Sequence, residues 1–202
     1  MIDLMTTRFH PLIVKTLTWP DEAATQAFAQ NLAKRSTLGH AMVELHGDLG
    51  AGKTTFVRQL LGALGVTGRI KSPTYAVVEP YELPGLNIWH FDFYRFADPR
   101  EWEDAGFRDI FAAPGLKLSE WPEKAGAQLP IPDLDIFISV PTPEAWEGER
   151  FAPCPPPALR APPLPTQNAH PAKLLTDNAR LVTLTARTPT GLALLDATGA
   201  PT

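Results

Sequence analysis

Cysteine is almost missing from this 202-residue sequence. Cys154 stands alone, which excludes an intramolecular disulfide framework and any zinc site built from several thiolates. Lying between prolines, it reads as an incidental thiol. Long apolar runs are missing too: none approaches the roughly 18 residues of a membrane helix. Residues 1–11 carry Asp3 and Arg8 and lack the apolar core of a secretory signal. Together these absences predict a cytoplasmic protein with no membrane association. Neither sign of charge dominates, with 18 Lys+Arg against 22 Asp+Glu and a net charge of −4. That balance excludes a protein that coats nucleic acid by bulk positive charge, and leaves a local basic patch open. Internal repeats are absent as well.

Proline, by contrast, is abundant: the chain has 22, about twice ordinary usage. The excess is local, because ten of them fall between Pro141 and Pro171. The chain as a whole is of ordinary globular composition, 44% hydrophobic and 20% charged, and long enough for one domain with a sizeable core. Short apolar or β-branched runs predict strands at 12–17, 41–46, 75–83, 87–93, 115–120, 133–140 and 181–186, with 191–195 a further candidate. Helical spacing predicts helices from a Thr18 cap to about Lys34, from Lys53 to Gly65, and over 99–105 and 107–113. No periodicity survives in the proline-rich stretch. Its composition cannot bury enough apolar surface to offset ordering, so 141–179 is expected to be a mobile insertion in a hairpin with arms at 134–140 and 180–186. Strands interleaved with helices, with some antiparallel pairs, predict a single α/β domain over 1–202 with a mixed central sheet flanked by helices.

One motif carries chemistry. Gly47-Asp48-Leu49-Gly50-Ala51-Gly52-Lys53-Thr54 fits G-x-x-x-x-G-K-[ST]. At this chain's residue frequencies such a string arises by chance about four times in a thousand sequences. A predicted strand precedes it and a predicted helix follows. Glycines let successive backbone N–H groups turn inward around phosphate oxygens, and the helix presents its positive N-terminus. Lys53 is suited to the β- and γ-phosphates and the Thr54 hydroxyl to Mg²⁺. Such a loop needs an acid at the end of a neighbouring buried strand. Asp92 ends Ile88-Trp89-His90-Phe91, and Glu120 ends Leu116-Lys117-Leu118-Ser119. Ser72-Pro73-Thr74-Tyr75, after Arg69 and Lys71, is either a switch-like contact or a Pro-fixed turn entering a strand. His90 reads as a satisfied core histidine rather than a ligand, and Trp102 and Trp146 as packing or surface aromatics.

The run Gly47 to Phe56, then Ser72-Pro73-Thr74-Tyr75, His90-Phe91-Asp92-Phe93-Tyr94-Arg95 and Glu120-Trp121-Pro122, resembles in order and spacing the bacterial TsaE (YjeE) family. The likeness spans about 12–140 and, more weakly, 180–196. It implies a P-loop NTPase-like fold and an ATP-binding, Mg²⁺-dependent ATPase serving threonylcarbamoyladenosine (t6A) formation in tRNA. The activity implied is weak alone and stimulated by the partners TsaB and TsaD, with tRNA met only through that complex. Carried over by position, Leu49, Gly50, Ala51, Gly52, Lys53 and Thr54 hold the phosphates, and Thr55 matches a second P-loop threonine. Thr54 with Glu120 binds Mg²⁺. Asp92 orders the metal, its waters and the P-loop hydroxyls, and Glu22 is a candidate at the nucleotide base. Lys53, Asp92 and Glu120 are thereby the catalytic candidates. The proline-rich stretch departs from the family's short hairpin connection. Two other readings keep the same loop: a small-molecule kinase, for which Arg95, Arg100 and Arg108 are too scattered to form a lid, and an ATP-gated binding module with negligible turnover.

Overall fold

The computed structural model describes residues 13–98, 101–141 and 178–196. Four short runs rich in Leu, Ile and Val, β2 (Met42–His46), β4 (Leu86–Asp92), β5 (Leu116–Glu120) and β6 (Leu134–Ser139), form the parallel centre of the sheet. Every residue of β5, and all of β2 except His46, is buried, as strands covered on both faces must be. Antiparallel strands close the flanks: β3 (Val78–Leu83) lies on β4, β7 (Arg180–Ala186) on β6, and β1 (Ile13–Trp19) on β7. The order is β1-β7-β6-β2-β5-β4-β3, the mixed sheet predicted. The register pairs Leu45 with Glu120 and Glu120 with Asp92, which brings both predicted acids to one edge and one face.

That face is covered by α1 (Glu22–Ala33) and α2 (Lys53–Leu64). Leu32, Phe56, Val57, Leu60 and Leu61 meet Val43, Leu45, Leu116, Leu118 and Ile136 in one aliphatic core. Each such side chain contributes about 1.5–3 kcal/mol on burial. The other face carries an aromatic cluster. There Phe91, Phe93, Phe96 and Trp102 pack under the short helices α3 (Glu101–Asp104) and α4 (Phe107–Ala112), with Ala125 of α5 (Pro122–Ala125). Trp102 is thus a packing residue, whereas Trp146, Cys154 and the segment 142–177 lie outside the described residues.

Three local expectations need correction. Thr18 is not a helix cap: it is paired in β1, and Asp21 caps α1 by accepting from the Ala24 N–H at 2.8 Å. A carboxylate one residue before the helix outcompetes a hydroxyl engaged in a strand. The strand predicted from Tyr75 begins at Val78, because Val77 adopts φ +66° and its N–H closes onto Pro73 O at 2.6 Å. Residues 191–195 form no strand. They belong to a helix, α6 (Pro189–Leu195), which Thr188 caps by accepting from Gly191 N–H, with Pro189 in the first turn. Gly191 is required for a different reason from strand formation: a Cβ there would meet Asp133 O at 1.9 Å.

Candidate nucleotide-binding site

The loop between β2 and α2 folds as its glycines require. Gly47, Gly50 and Gly52 all have positive φ, from +81° to +127°. At Gly47 a side chain is also excluded by packing, since a Cβ would lie 2.1 Å from Ile138 O. Gly50 and Gly52 have open space around them, so there it is the backbone turn that demands glycine. Lys53 opens α2 almost wholly buried. Its ammonium donates to the carbonyls of Gly47 and Asp48 and sits 3.7 Å from the centre of the Trp121 ring. Burial lowers its pKa below the usual lysine value, and the carboxylates of Glu120, Glu123, Asp92 and Asp48 oppose that shift. Trp121 reaches the ammonium from a left-handed backbone, φ +57°, a conformation that costs free energy in a bulky residue. Its place before Pro122 already disfavours right-handed helix.

The two predicted acids stand side by side with different partners. Glu120, 2% exposed, accepts from Thr54 Oγ1 on one oxygen and from His90 Nε2 on the other, each at 2.8 Å. His90 is the core histidine expected, and it is also the group that orients Glu120. Its Nε2 carries the proton, because Nδ1 is buried without a partner and an N–H there would be unpaired. Asp92 accepts from Tyr94 N–H at 3.0 Å on one oxygen, and from the Ser72 and Thr74 hydroxyls on the other. The hydroxyls it gathers are therefore those of the 72–74 turn, not those of the P-loop that the resemblance implies. The Ser72 and Thr74 hydroxyl oxygens lie 2.7 Å from each other. The predicted turn is thus tied to a site acid, while Tyr75 beside it is 85% exposed under the Arg95 guanidinium.

A cavity of about 170 Å³ adjoins the loop, lined by Trp19, Glu22, Thr25, Gly50, Ala51, Gly52, Thr55, Asn178 and Arg180. Glu22, Gly50, Ala51, Gly52 and Thr55 therefore converge as a group, whereas Leu49 points outward, 76% exposed. Glu22 is held from α2 by Gln59 Nε2 at 3.1 Å. Arg180 Nε donates to Ala51 O at 2.8 Å and so anchors the P-loop from β7. Trp19, Thr25, Asn178, Arg180 and Trp121 were not singled out as site residues from the sequence. A hydroxyl and a carboxylate at 2.8 Å, beside a buried lysine and a glycine-rich loop, suit a hard cation and the phosphates it accompanies.

A parallel sheet with a glycine-rich loop running into a helix at its carboxyl edge defines a P-loop NTPase-like α/β protein. The same architecture is seen in the crystal structure of YdiB from Bacillus subtilis, with a TM-score of 0.63 at 24% identity over 93% of this chain and 95% of that one. The family model described as "Threonylcarbamoyl adenosine biosynthesis protein TsaE" matches residues 19–147. The chain belongs to the TsaE family. Relatives named "tRNA threonylcarbamoyladenosine biosynthesis protein TsaE" include one from Haemophilus influenzae, 46% identical over 125 residues, 60% of this chain and 78% of that protein. Another, from Bacillus subtilis, is 38% identical over 129 residues, 62% of this chain and 78% of its own length.

Proposed function

We propose that this chain is the ATP-binding and ATP-hydrolysing component of the machinery that forms t6A in tRNA, acting with TsaB and TsaD. The role in t6A biosynthesis follows from the family. The ATPase reading rests on one observation above the others: Thr54 Oγ1 and Glu120 Oε2 stand 2.8 Å apart at the carboxyl edge of the sheet, directly after Lys53. Thr54 and Glu120 are the pair that holds Mg²⁺, whose chemistry is to neutralise charge building on the phosphate oxygens. Lys53 compensates the β- and γ-phosphate charge, and the backbone from Leu49 to Thr54 binds the phosphates. Glu22 and Thr55, with their cavity, take the nucleoside end. His90 keeps Glu120 aimed at Thr54. Asp92 acts as an orienter, fixing the Ser72 and Thr74 hydroxyls and the Tyr94 N–H beside the loop. Trp121 shields Lys53 from water.

The site is open to solvent at Leu49 and Tyr75, and a docked partner supplies what a small open site lacks: exclusion of water and extra positive charge. The activity is therefore weak alone and stimulated by TsaB–TsaD, and tRNA is met through that complex. Residues 1–202 act as one domain, with 141–179 an insertion between the β6 and β7 arms that nucleotide binding does not need. Phosphate release measured with and without TsaB–TsaD, beside a screen for a phosphorylated small molecule, tests the whole reading. Stimulated release without a phosphorylated acceptor is expected. Transfer to an acceptor would make the chain a kinase, and tight ATP binding with no release in either condition would make it a nucleotide-gated binding module.

A further inference from the structure

A second group of ligating side chains sits on the other face of the same sheet. Glu44 and His46 are two residues apart on β2 and therefore share a face, and Asp135 on β6 is the register partner of Glu44. His46 Nε2 lies 3.2 Å from Asp135 Oδ1 and 3.6 Å from Glu44 Oε2. Nitrogen and oxygen ligands of a tetrahedral zinc ion stand about 3.3 Å from one another. The two separations bracket that edge length, and they share one vertex. Among the described residues this is the group of His, Asp and Glu side chains able to converge on one ion.

A histidine–aspartate hydrogen bond accounts for His46 and Asp135 but leaves Glu44 unexplained. Glu44 is 8% exposed, its carboxylate aims at the same Nε2 from beyond hydrogen-bond reach, and it faces a second carboxylate across the strand pair. Like charges opposed in this way destabilise a sheet unless a cation lies between them. The surroundings match a metal centre's outer layer. Arg187 Nε binds Asp135 Oδ2 and leaves Oδ1 turned to the cluster, while Glu123 Oε2 lies 3.7 Å from His46 Nδ1. A cavity of about 300 Å³, lined by Glu44, His46, Glu123 and Arg187 among others, gives access from solvent.

We propose that Glu44, His46 and Asp135 form a binding site for one divalent transition-metal ion of the Zn²⁺ type, with a further position open to the cavity. The imidazole nitrogen selects against Mg²⁺ and Ca²⁺, which take oxygen ligands. His46 immediately precedes Gly47, so an ion here fastens the strand that feeds the P-loop to β6. The site is structural and distinct from Thr54 and Glu120, which lie on the opposite face.

Calorimetric titration of nucleotide-free full-length protein with Zn²⁺, and optical titration with Co²⁺ as a spectroscopic stand-in, test the assignment. One ion per chain is expected, with a rise in the thermal midpoint that grows with Zn²⁺ concentration. His46→Gln and Asp135→Asn should each weaken binding at least tenfold and abolish that rise. Glu120→Gln and Cys154→Ser should bind Zn²⁺ as the parent does. Should either ligand variant fail to fold, Glu44→Gln, which keeps the side-chain volume, must show the same loss. No stoichiometric Zn²⁺ binding by the parent protein, binding that survives the ligand substitutions, or binding lost in Glu120→Gln or Cys154→Ser would overturn the proposal.

Discussion

The two edges of the sheet put acidic residues to opposite uses. At the carboxyl edge, Asp92 and Glu120 accept mainly from side chains: the hydroxyls of Ser72, Thr74 and Thr54 and the ring of His90. At the amino edge, Asp133 is tied chiefly to backbone. Its Oδ2 accepts from Met42 N–H at 2.8 Å, its own N–H donates to Met42 O, and its carbonyl accepts from Arg187 N–H. The Thr188 hydroxyl, which caps α6, fills the remaining carboxylate oxygen. Hydroxyl and imidazole partners can rotate toward a ligand at the cost of one torsion, whereas strand-end amides cannot. One edge is therefore built to exchange partners and the other to hold the fold, although the residue types are the same. The two backbones differ as well. Among the described residues the two non-glycine residues with positive φ, Val77 and Trp121, both lie at the site, while at the other end Gly191 is packed flush against Asp133.

If this division is right, substitutions at the two edges separate activity from stability. The largest effect belongs to Lys53→Ala. Stimulated phosphate release should fall by about 10²-fold or more, as when a charge stabiliser is removed from other active sites. Its thermal midpoint should stay near that of the parent, because the substitution also relieves a buried ammonium of its desolvation cost. Gly191→Ala is the converse. Backbone contacts of 1.9 and 2.8 Å must be relieved by moving α6 away from Asp133, at about 2–3 kcal/mol of stability. Denaturant titration should register that loss, with Mg-ATP affinity of the folded fraction unchanged. Asp133→Ala strands the Met42 N–H and the Thr188 hydroxyl and should cost about 1–3 kcal/mol, again with nucleotide affinity intact. The contrast fails if Lys53→Ala unfolds the protein, or if either amino-edge variant loses nucleotide affinity while folded.

Legibility follows the same line. The P-loop could be read because its backbone demands glycine at fixed spacing, and the strand-end acids because each closes an apolar run. Their alignment on one edge then needed only the parallel register that such runs imply. Residues contributed by topology left no local trace. Arg180 and Trp19 reach the cavity from the two flanking strands β7 and β1, which meet the P-loop through the order of the sheet alone. The same holds for Asp135, brought beside Glu44 by a pairing across 91 positions. Thr188-Pro189 followed by Gly191 is a cap signature, but a seven-residue helix shows too few turns for the apolar run at 191–195 to display a helical period. The left-handed backbone of Trp121, φ +57°, has no local sequence signal, because it is set only once the chain is folded.

The central claim is that the Thr54–Glu120 pair and Asp92 together form a hydrolytic site completed by a partner. The most direct measurement is phosphate release from Mg-ATP by the parent and by Asp92→Asn, each alone and with TsaB–TsaD, beside Mg-ATP affinity for both proteins. The parent should be slow alone and strongly stimulated. Asp92→Asn keeps the side chain's shape but weakens its hold on Ser72 and Thr74, so it should bind Mg-ATP within a few-fold of the parent and lose most of the stimulated rate. An Asp92→Asn protein that hydrolyses ATP at the full stimulated rate, or a parent that TsaB–TsaD fails to stimulate, would contradict the account.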